Sequence, residues 1–206
     1  IENISQNLDK PIKLLLKKAA DLNGNVDDPQ AQNLLKLIAS NGGQLQNIVD
    51  QLLELNEIDL TAIELKLERI DIGQLMQQWH DTFLRISAQK QINFTIQGPE
   101  HLKVITDEKK ITSIIHNLLN NAIKYTPANG QVEVTYGVRD NLFDLHVNDS
   151  GKGIPEAKRK KIFERFFRLG EADGTGTGIG LSIVKELTEI LGGTIAVSDS
   201  KLGGAS

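Results

Sequence analysis

Two asparagines, a lysine and a tyrosine occur at helical spacing in one expected helix over residues 107–125. The spacing i, i+4, i+7 and i+8 places them on one side of that helix, and isoleucines and leucines occupy another side. The four residues are Asn117, Asn121, Lys124 and Tyr125. Amide oxygens can ligate Mg²⁺, and a lysine can meet a phosphate as a point charge. The pattern alone is weak, because two asparagines on a helix more often face solvent.

An aspartate stands directly after an expected strand and before two glycines. Asp149 follows the alternating apolar residues of 143–147, and Gly151 and Gly153 come next. A carboxylate at a strand end can accept a hydrogen bond from an exocyclic amine such as that of adenine, and glycines let the backbone approach a flat ring. A glycine-rich turn without a ligand is the alternative. The segment is not a dinucleotide fingerprint, because no helix opens on these glycines at the required spacing.

Alternating glycines lead directly into an expected helix over residues 179–191. They are Gly174, Gly176, Gly178 and Gly180. Backbone N–H groups at a helix N-terminus form an anion site, so we favour phosphate binding here over a flexible hinge. No Gly-Lys-Ser/Thr follows, so this is not a Walker loop. Between the glycine segments, Phe163, Phe166 and Phe167 have helical spacing and are expected to dock a mobile segment on the core.

The remaining pattern from about Leu65 predicts the elements that hold these segments. Helical spacing covers residues 74–90. Alternation typical of strands covers residues 92–96, 132–138, 143–147 and 194–197. Asp140–Asn141 is expected to join the second and third of these strands as an antiparallel hairpin. Strands and helices in this order predict a two-layer α/β sandwich.

Residues 1–58 carry a different pattern, with leucines and isoleucines at helical spacing and no aromatic residue. Turn residues over 23–29 divide the segment into a helical hairpin. The apolar stripes are too wide for two helices to cover, so we expect a homodimer through residues 1–58 that forms a four-helix bundle. Pro11 and Gly42–Gly43 interrupt the helical pattern. One interpretation is that they are tolerated defects or permit close helix packing, and the other is that they are bending points for signal passage.

Composition excludes several classes of protein. The 206 residues are 39% hydrophobic and 24% charged, an ordinary globular mix. The net charge of −4 gives no global attraction to nucleic acid, so no such partner is expected. The absence of cysteine excludes disulfides and thiolate chemistry. No apolar run approaches the ~20 residues of a membrane span. Ile1 is not an initiator methionine, so we interpret the chain as a fragment whose membrane or sensory parts lie outside it.

The order of these pieces resembles the ATP-binding domain of sensor histidine kinases, a Bergerat-type ATPase fold shared with gyrase and the mismatch-repair ATPases. Residues 117–127 resemble that family's N box, 149–153 its G1 box, 163–167 its F box and 174–180 its G2 box. The preceding hairpin is similar to the family's dimerisation and histidine-phosphotransfer bundle. The resemblance implies an α+β chain with the hairpin over residues 1–62 and the catalytic domain over residues 63–206.

The resemblance also implies ATP and Mg²⁺ as cofactors, with roles by position. Asn121 would hold Mg²⁺ with Asn117 near it, Lys124 and Tyr125 would contact phosphate or nucleotide, and Asp149 would bind the adenine amine. The other expected cofactor-binding residues are Gly151, Gly153, Ile154, Gly176, Thr177, Gly178, Ile179, Gly180 and Leu181. Gyrase-like relatives have a water-activating Glu four residues before the Mg²⁺-binding Asn. Asn117 at that place is no base, which favours phosphoryl transfer over hydrolysis.

The first helix departs from the family pattern at the phosphoacceptor. The family reads Ser-His-Glu-Leu-Arg-Thr-Pro-Leu, and this chain reads Ser-Gln-Asn-Leu-Asp-Lys-Pro-Ile over residues 5–12. Gln6 stands at the place of the phosphoacceptor, Asn7 at that of the general base, and Lys10 where water is usually oriented. A carboxamide is a poor nucleophile and its neighbours supply no base, so we expect no autophosphorylation at Gln6. Several simultaneous departures favour a naturally degenerate bundle over an engineered His→Gln change.

The resemblance implies the cytoplasmic core of a bacterial sensor kinase in two-component signalling. It would bind ATP·Mg²⁺ and act as a dimeric scaffold or phosphorylate a histidine of a partner chain, with the receiver domain of a response regulator as partner. A gyrase-like clamp that hydrolyses ATP slowly and a non-catalytic, nucleotide-gated scaffold are the alternatives. Among the other histidines, His116 adjoins the asparagine face and is the one expected to come nearest to the nucleotide.

Overall fold

The computed structural model describes residues 12–17, 19, 22, 28–60, 64–169 and 177–206. These residues form two compact units. The first contains the described residues up to Leu60 together with Thr177, and the second contains residues 64–169 and 178–206. The predictions made for Gln6, Asn7, Lys10, Pro11, Gly174 and Gly176 lie outside the described residues. Within the described ranges, no helix has the length and apolar character needed to cross a bilayer.

The described part of the first unit is helical. Residues 12–17 are helical, and the long helix α1 covers Pro29–Leu60. Asp28 begins α1, since its carboxylate Oδ1 accepts the N–H of Gln30 at 3.0 Å, and Pro29 occupies the first turn as the sequence predicts.

The two glycines of α1 lie inside an unbroken helix and have different surroundings. A β-carbon on Gly42 would stand 2.7 Å from the side chain of Leu16, whereas one on Gly43 would have nothing within 4 Å. Gly42 therefore permits close packing of the two helices, which is one of the two interpretations that the sequence left open.

The second unit is the two-layer sandwich that the sequence predicts. A three-stranded sheet has the order β2-β4-β5, in which β2 (Asn93–Gln97) runs parallel to β4 (Gln131–Arg139) and β4 runs antiparallel to β5 (Leu142–Asp149). Two short strands, β1 (Glu68–Asp71) and β3 (Lys103–Thr106), form a separate antiparallel pair that the sequence does not predict. Asp140 and Asn141 join β4 to β5 with positive φ at both residues, which confirms the predicted hairpin.

Three helices cover the sheet. They are α2 (Ile72–Gln89), α3 (Glu108–Tyr125) and α4 (Gly180–Ile190). Helix α2 packs on β2, and α3 packs on both β5 and α4. The side chains that close the core between the layers are fully buried: Met76, Phe83, Ile115, Leu119, Val132, Val134, Ile183, Val184 and Leu187.

Two local predictions are wrong. Residues 194–197 do not form a strand, and at the end of β5 the backbone of Asp149 bonds to Ala205 (N to O, 2.9 Å) and Gly204 (O to N, 3.2 Å). The phenylalanine segment is a single turn of 3-10 helix, Lys161–Phe163, in which Ile162 is the buried residue. Phe166 has a φ of 65° and is 64% exposed, so it does not dock on the core.

Asp107 fixes the beginning of α3. Its buried carboxylate accepts the N–H of Lys110 at 3.2 Å, as an N-cap, and the N–H of Lys66 at 3.0 Å. Burial alone would raise the pKa of Asp107, but the two backbone donors and the nearby Lys110 charge outweigh it and lower the pKa below its usual range. The carboxylate therefore joins the helix to a segment 41 residues earlier.

Asp107→Ala is expected to lower the free energy of unfolding at neutral pH by about 1–2 kcal/mol, because both backbone donors lose their acceptor. A lowered pKa in the folded state means that this stabilisation is complete above the ordinary pKa and disappears as pH falls through the lowered one. The difference between the wild-type chain and the variant should therefore shrink below about pH 4. Urea denaturation at several pH values measures it. The exposed neighbour, Glu108→Ala, is the control, and equal losses for both variants would contradict the assignment.

Candidate functional site

The asparagine face of α3 lies in the second unit with its two amides in different surroundings. Asn117 is buried, and its Nδ2 donates to the carbonyl oxygen of Ser113 at 3.0 Å. Asn121, one turn later, is half-buried. In Asn117 the amide nitrogen is thus held by the helix itself, which leaves the side-chain oxygen as the polar atom that can serve a ligand.

The end of α3 gathers positive charge around an aromatic ring. The ammonium of Lys124 lies 5.0 Å from the centroid of the Tyr125 ring, and that of Lys152 lies 5.9 Å from the same centroid. Tyr125 is 42% exposed, Lys152 is exposed and Lys124 is half-buried, so a ligand can reach the ring. Lys152 comes from the loop after β5, and no spacing in the sequence indicates that it meets Tyr125.

Asp149 ends β5 with its carboxylate held by backbone donors. Oδ1 accepts the N–H of Gly151 at 2.7 Å and that of Ala205 at 3.1 Å. Both bonds are to Oδ1, so Oδ2, which accepts no hydrogen bond from the described residues, is the oxygen that can accept one from a ligand. The role of Ala205 is not predictable from the sequence pattern, because it joins residues 56 positions apart.

The loop after Asp149 packs directly on the end of α3. A β-carbon on Gly151 would stand 2.6 Å from the carbonyl oxygen of Tyr125 and 2.9 Å from Oδ1 of Asp149. Gly153 has a φ of 65°, a left-handed conformation that favours glycine. The carbonyl of Ile154 accepts a hydrogen bond from Arg159 Nε at 3.1 Å, which holds the loop at its far end. The structure thus brings the predicted Asp149–Ile154 segment against the predicted Lys124–Tyr125 pair.

The beginning of α4 has the predicted glycine conformation. Gly178 has a φ of 73°, and its carbonyl accepts the N–H of Phe166 at 2.9 Å. Ile179 is buried, Gly180 and Leu181 are half-buried, and no side chain caps the helix within the described residues. The first N–H groups of a helix without such a cap are suited to bind an anion.

Two further predicted residues lie elsewhere. Thr177 groups with the first unit, where its hydroxyl donates to Gln51 Oε1 at 2.7 Å. His116 lies between α2 and α3, with its ring 5.5 Å from that of Trp79 and 6.2 Å from that of Phe83, and its Nε2 lies 2.9 Å from Asn120 Nδ2. Burial lowers the pKa of His116, so the imidazole is neutral at pH 7. It belongs to an aromatic cluster.

The donor set near α3 fits Mg²⁺ only in combination with phosphate. Among the described residues, no group of three or more His, Cys, Asp or Glu side chains is placed to hold a metal. Mg²⁺ commonly takes one or two protein oxygens and completes its shell with substrate phosphates and water. The amide oxygen of Asn121, three residues before Lys124 on the same helix, fits that arrangement.

Comparison with known proteins agrees with this geometry. Residues 106–206 match the family described as histidine kinase-, DNA gyrase B-, and HSP90-like ATPase. The structure is similar to full-length ShkA in complex with AMPPNP, with a TM-score of 0.81 and 26% identity over 98% of this chain and 43% of that one. It is similar also to the mycobacterial sensor histidine kinase MprB, with a TM-score of 0.56 and 31% identity over 64% of this chain and 85% of that one.

The chain belongs to the sensor histidine kinases. Among curated relatives, it is 41% identical over 174 residues to the sensor histidine kinase TmoS of Ectopseudomonas mendocina. That alignment covers 82% of this chain and 18% of TmoS, so the chain spans less than a fifth of that relative. As a histidine kinase it carries the family's ATP-binding domain in an α+β fold of Bergerat type, as the sequence predicts.

Gly151→Ala is expected to weaken ATP binding by about tenfold or more, since its β-carbon would separate the loop from the backbone of Tyr125 and displace Asp149. Isothermal calorimetry with ATP and Mg²⁺ measures the change. Gly137→Ala in β4 is the matched control, because its β-carbon would have nothing within 4 Å. Unchanged affinity in Gly151→Ala would show that the loop does not shape the site.

Proposed function

We propose that this chain is a signalling core that binds ATP·Mg²⁺ in its second unit and does not form phosphohistidine in its first helix. The observation that carries the nucleotide assignment is the Asp149 carboxylate. Its Oδ1 accepts two backbone N–H groups, and no described residue donates a hydrogen bond to its Oδ2. Such an acceptor suits the exocyclic amine of adenine, which is a donor.

The triphosphate would extend from Asp149 along the end of α3 to the beginning of α4. Lys124 and Lys152 supply positive charge near Tyr125, and the first turn of α4, for which the described residues include no side-chain cap, supplies N–H donors. Asn121 would hold Mg²⁺, which neutralises the phosphates and positions them for transfer. ATP as the phosphate donor places this domain on the cytoplasmic side of any membrane to which the whole protein is attached.

Rapid hydrolysis of ATP is not part of the proposal. Asn117 holds the place at which gyrase-like relatives have a water-activating Glu, and its Nδ2 is bonded to the backbone of Ser113. A carboxamide has no basic lone pair at pH 7, so it cannot remove a proton from water. This absence of a base favours a kinase or scaffold over the alternative of a gyrase-like clamp.

The apolar side chains of α1 support a homodimer through residues 1–58. Several of them are about half exposed or more: Leu34 61%, Leu37 57%, Ile38 49% and Leu45 53%. Association of two hairpins into a four-helix bundle would bury them. We propose that the receiver domain of a response regulator would contact the surface of this bundle.

Asp149→Asn is expected to weaken ATP binding by about 1.5–3 kcal/mol, the worth of a hydrogen bond to a charged group. The amide can keep the two backbone bonds through its oxygen, but its nitrogen then turns donor hydrogens towards the adenine amine. Calorimetry with ATP and with inosine triphosphate, which lacks this amine, separates the contact from general damage. The preference for ATP should disappear in the variant.

Asp144→Asn on the same strand is the matched control, because Asp144 pairs only with His146 and Arg139 among the contacts found for it in the described residues. It should keep both the affinity and the preference for ATP. An Asp149→Asn variant with unchanged ATP affinity would refute the nucleotide assignment.

The unmodified chain should form no phosphohistidine in its first helix, because position 6 has no imidazole. Gln6→His alone should restore little, since Asn7 cannot take the proton. Gln6→His combined with Asn7→Glu should restore some transfer and exceed the single variant by ~10²–10⁴-fold, the usual contribution of a general base. Incubation with radiolabelled ATP followed by acid treatment measures it. Strong acid-labile labelling of the unmodified chain would overturn the proposal.

A further inference from the structure

A lysine from the end of α2 closes the C-terminal end of α3. The ammonium of Lys90 donates to three backbone carbonyls, those of Ile123 at 2.9 Å, Lys124 at 2.8 Å and Thr126 at 2.8 Å. Its own backbone is fixed at the end of α2, where the N–H of Lys90 bonds to the carbonyl of Ser87 at 3.0 Å. The side chain therefore joins two helices at their C-terminal ends.

This arrangement uses the whole hydrogen-bonding capacity of the ammonium. The last four carbonyls of a helix have no partner within the helix and together carry a partial negative charge. A lysine ammonium has three N–H donors and a full positive charge, and here each donor meets one carbonyl. The carbonyl of Ala122 is bonded by the N–H and the hydroxyl of Thr126, at 3.1 and 2.7 Å. Most backbone carbonyls at this end of α3 thus accept a hydrogen bond from a side chain.

The same turn carries the residues proposed to contact the nucleotide. Lys90 binds the carbonyl of Lys124 itself and those of Ile123 and Thr126 on either side of the Lys124–Tyr125 pair, and the carbonyl of Tyr125 lies close to the backbone of Gly151. On its far side, Gly151 donates its N–H to Asp149. Movement of this turn would therefore change the separation between the Lys124 ammonium and the Asp149 carboxylate.

We propose that Lys90 is a positioning residue of the nucleotide site, which fixes the last turn of α3 so that Lys124 meets the phosphates of a nucleotide whose base is held at Asp149. This inference rests on the proposed nucleotide-binding function. Lys90 itself does not touch the nucleotide, because its three donors are all directed to backbone carbonyls. Its effect should therefore depend on the phosphates of the ligand and on the presence of Lys124.

The test uses the full 206-residue chain and competition of ATP and adenosine against a fluorescent nucleotide. Lys90→Met keeps the length of the side chain and removes all three donors. This variant should weaken the binding of ATP by about tenfold and that of adenosine by less than about threefold, since adenosine has no phosphate for Lys124 to contact. Lys90→Arg keeps the charge but offers a planar set of donors, so its ATP affinity should lie between those of the unmodified chain and Lys90→Met. Lys185→Met in α4, exposed and paired with Glu189 at 3.8 Å, is the control and should bind as the unmodified chain does.

A double-mutant cycle distinguishes positioning from general support of the fold. If Lys90 acts through Lys124, then Lys90→Met should cost little further ATP affinity in a Lys124→Met background, and the two effects will not add. Should Lys90→Met unfold at the assay temperature, Lys90→Gln, which keeps two donors, takes its place in the same cycle.

Equal loss of ATP and adenosine, or additive effects in the cycle, would overturn the positioning role. These outcomes are separate from failure of the proposed function. If Asp149→Asn weakens ATP but Lys90→Met behaves as Lys185→Met does, the nucleotide site stands and the inference about Lys90 falls. If the unmodified chain binds neither ATP nor adenosine, both fall.

Discussion

The contact between the end of α3 and the loop after β5 is the constraint on which the candidate site depends. The backbone of Gly151 lies so near the carbonyl of Tyr125 that a β-carbon there would stand 2.6 Å from the oxygen. Both sides of the contact are main chain, so neither can rotate to a different rotamer and relieve it. The contact joins the helix layer to the sheet at the place where Asp149 ends its strand, and it thereby sets the distance between the two groups of candidate site residues.

Three helix ends in the second unit, the beginnings of α2 and α3 and the end of α3, are fixed by charged side chains as well as by the apolar core. Asp71 and Asp107 each accept N–H groups from the first turn of their own helix and from a segment far away in sequence. Lys90 makes the converse contact at a C-terminal end. Each charge meets the end of the helix dipole that favours it, and each satisfies backbone groups that the helix leaves unbonded. The core fixes how the layers pack, and these contacts fix where each helix begins or ends.

Features with a local cause are the ones that the sequence predicts. Apolar spacing gives α3 and its asparagine face, and two residues that tolerate positive φ give the turn at Asp140–Asn141. The strands Glu68–Asp71 and Lys103–Thr106 escape prediction because four residues are too few to show alternation. Contacts such as Ala205 with Asp149 depend on residues far apart in sequence, and periodicity contains no information about them.

Nucleotide binding and phosphoryl transfer make separate chemical demands, and in the proposed function this chain meets the first but lacks the acceptor for transfer to its own first helix. Binding needs an acceptor for the base, positive charge for the phosphates and a rigid frame, and all of these lie among residues of the second unit. Transfer to the first helix also needs a nucleophile, and the nitrogen lone pair of Gln6 is delocalised into its carbonyl. ATP bound without transfer can still favour whichever arrangement of the chain binds it more tightly.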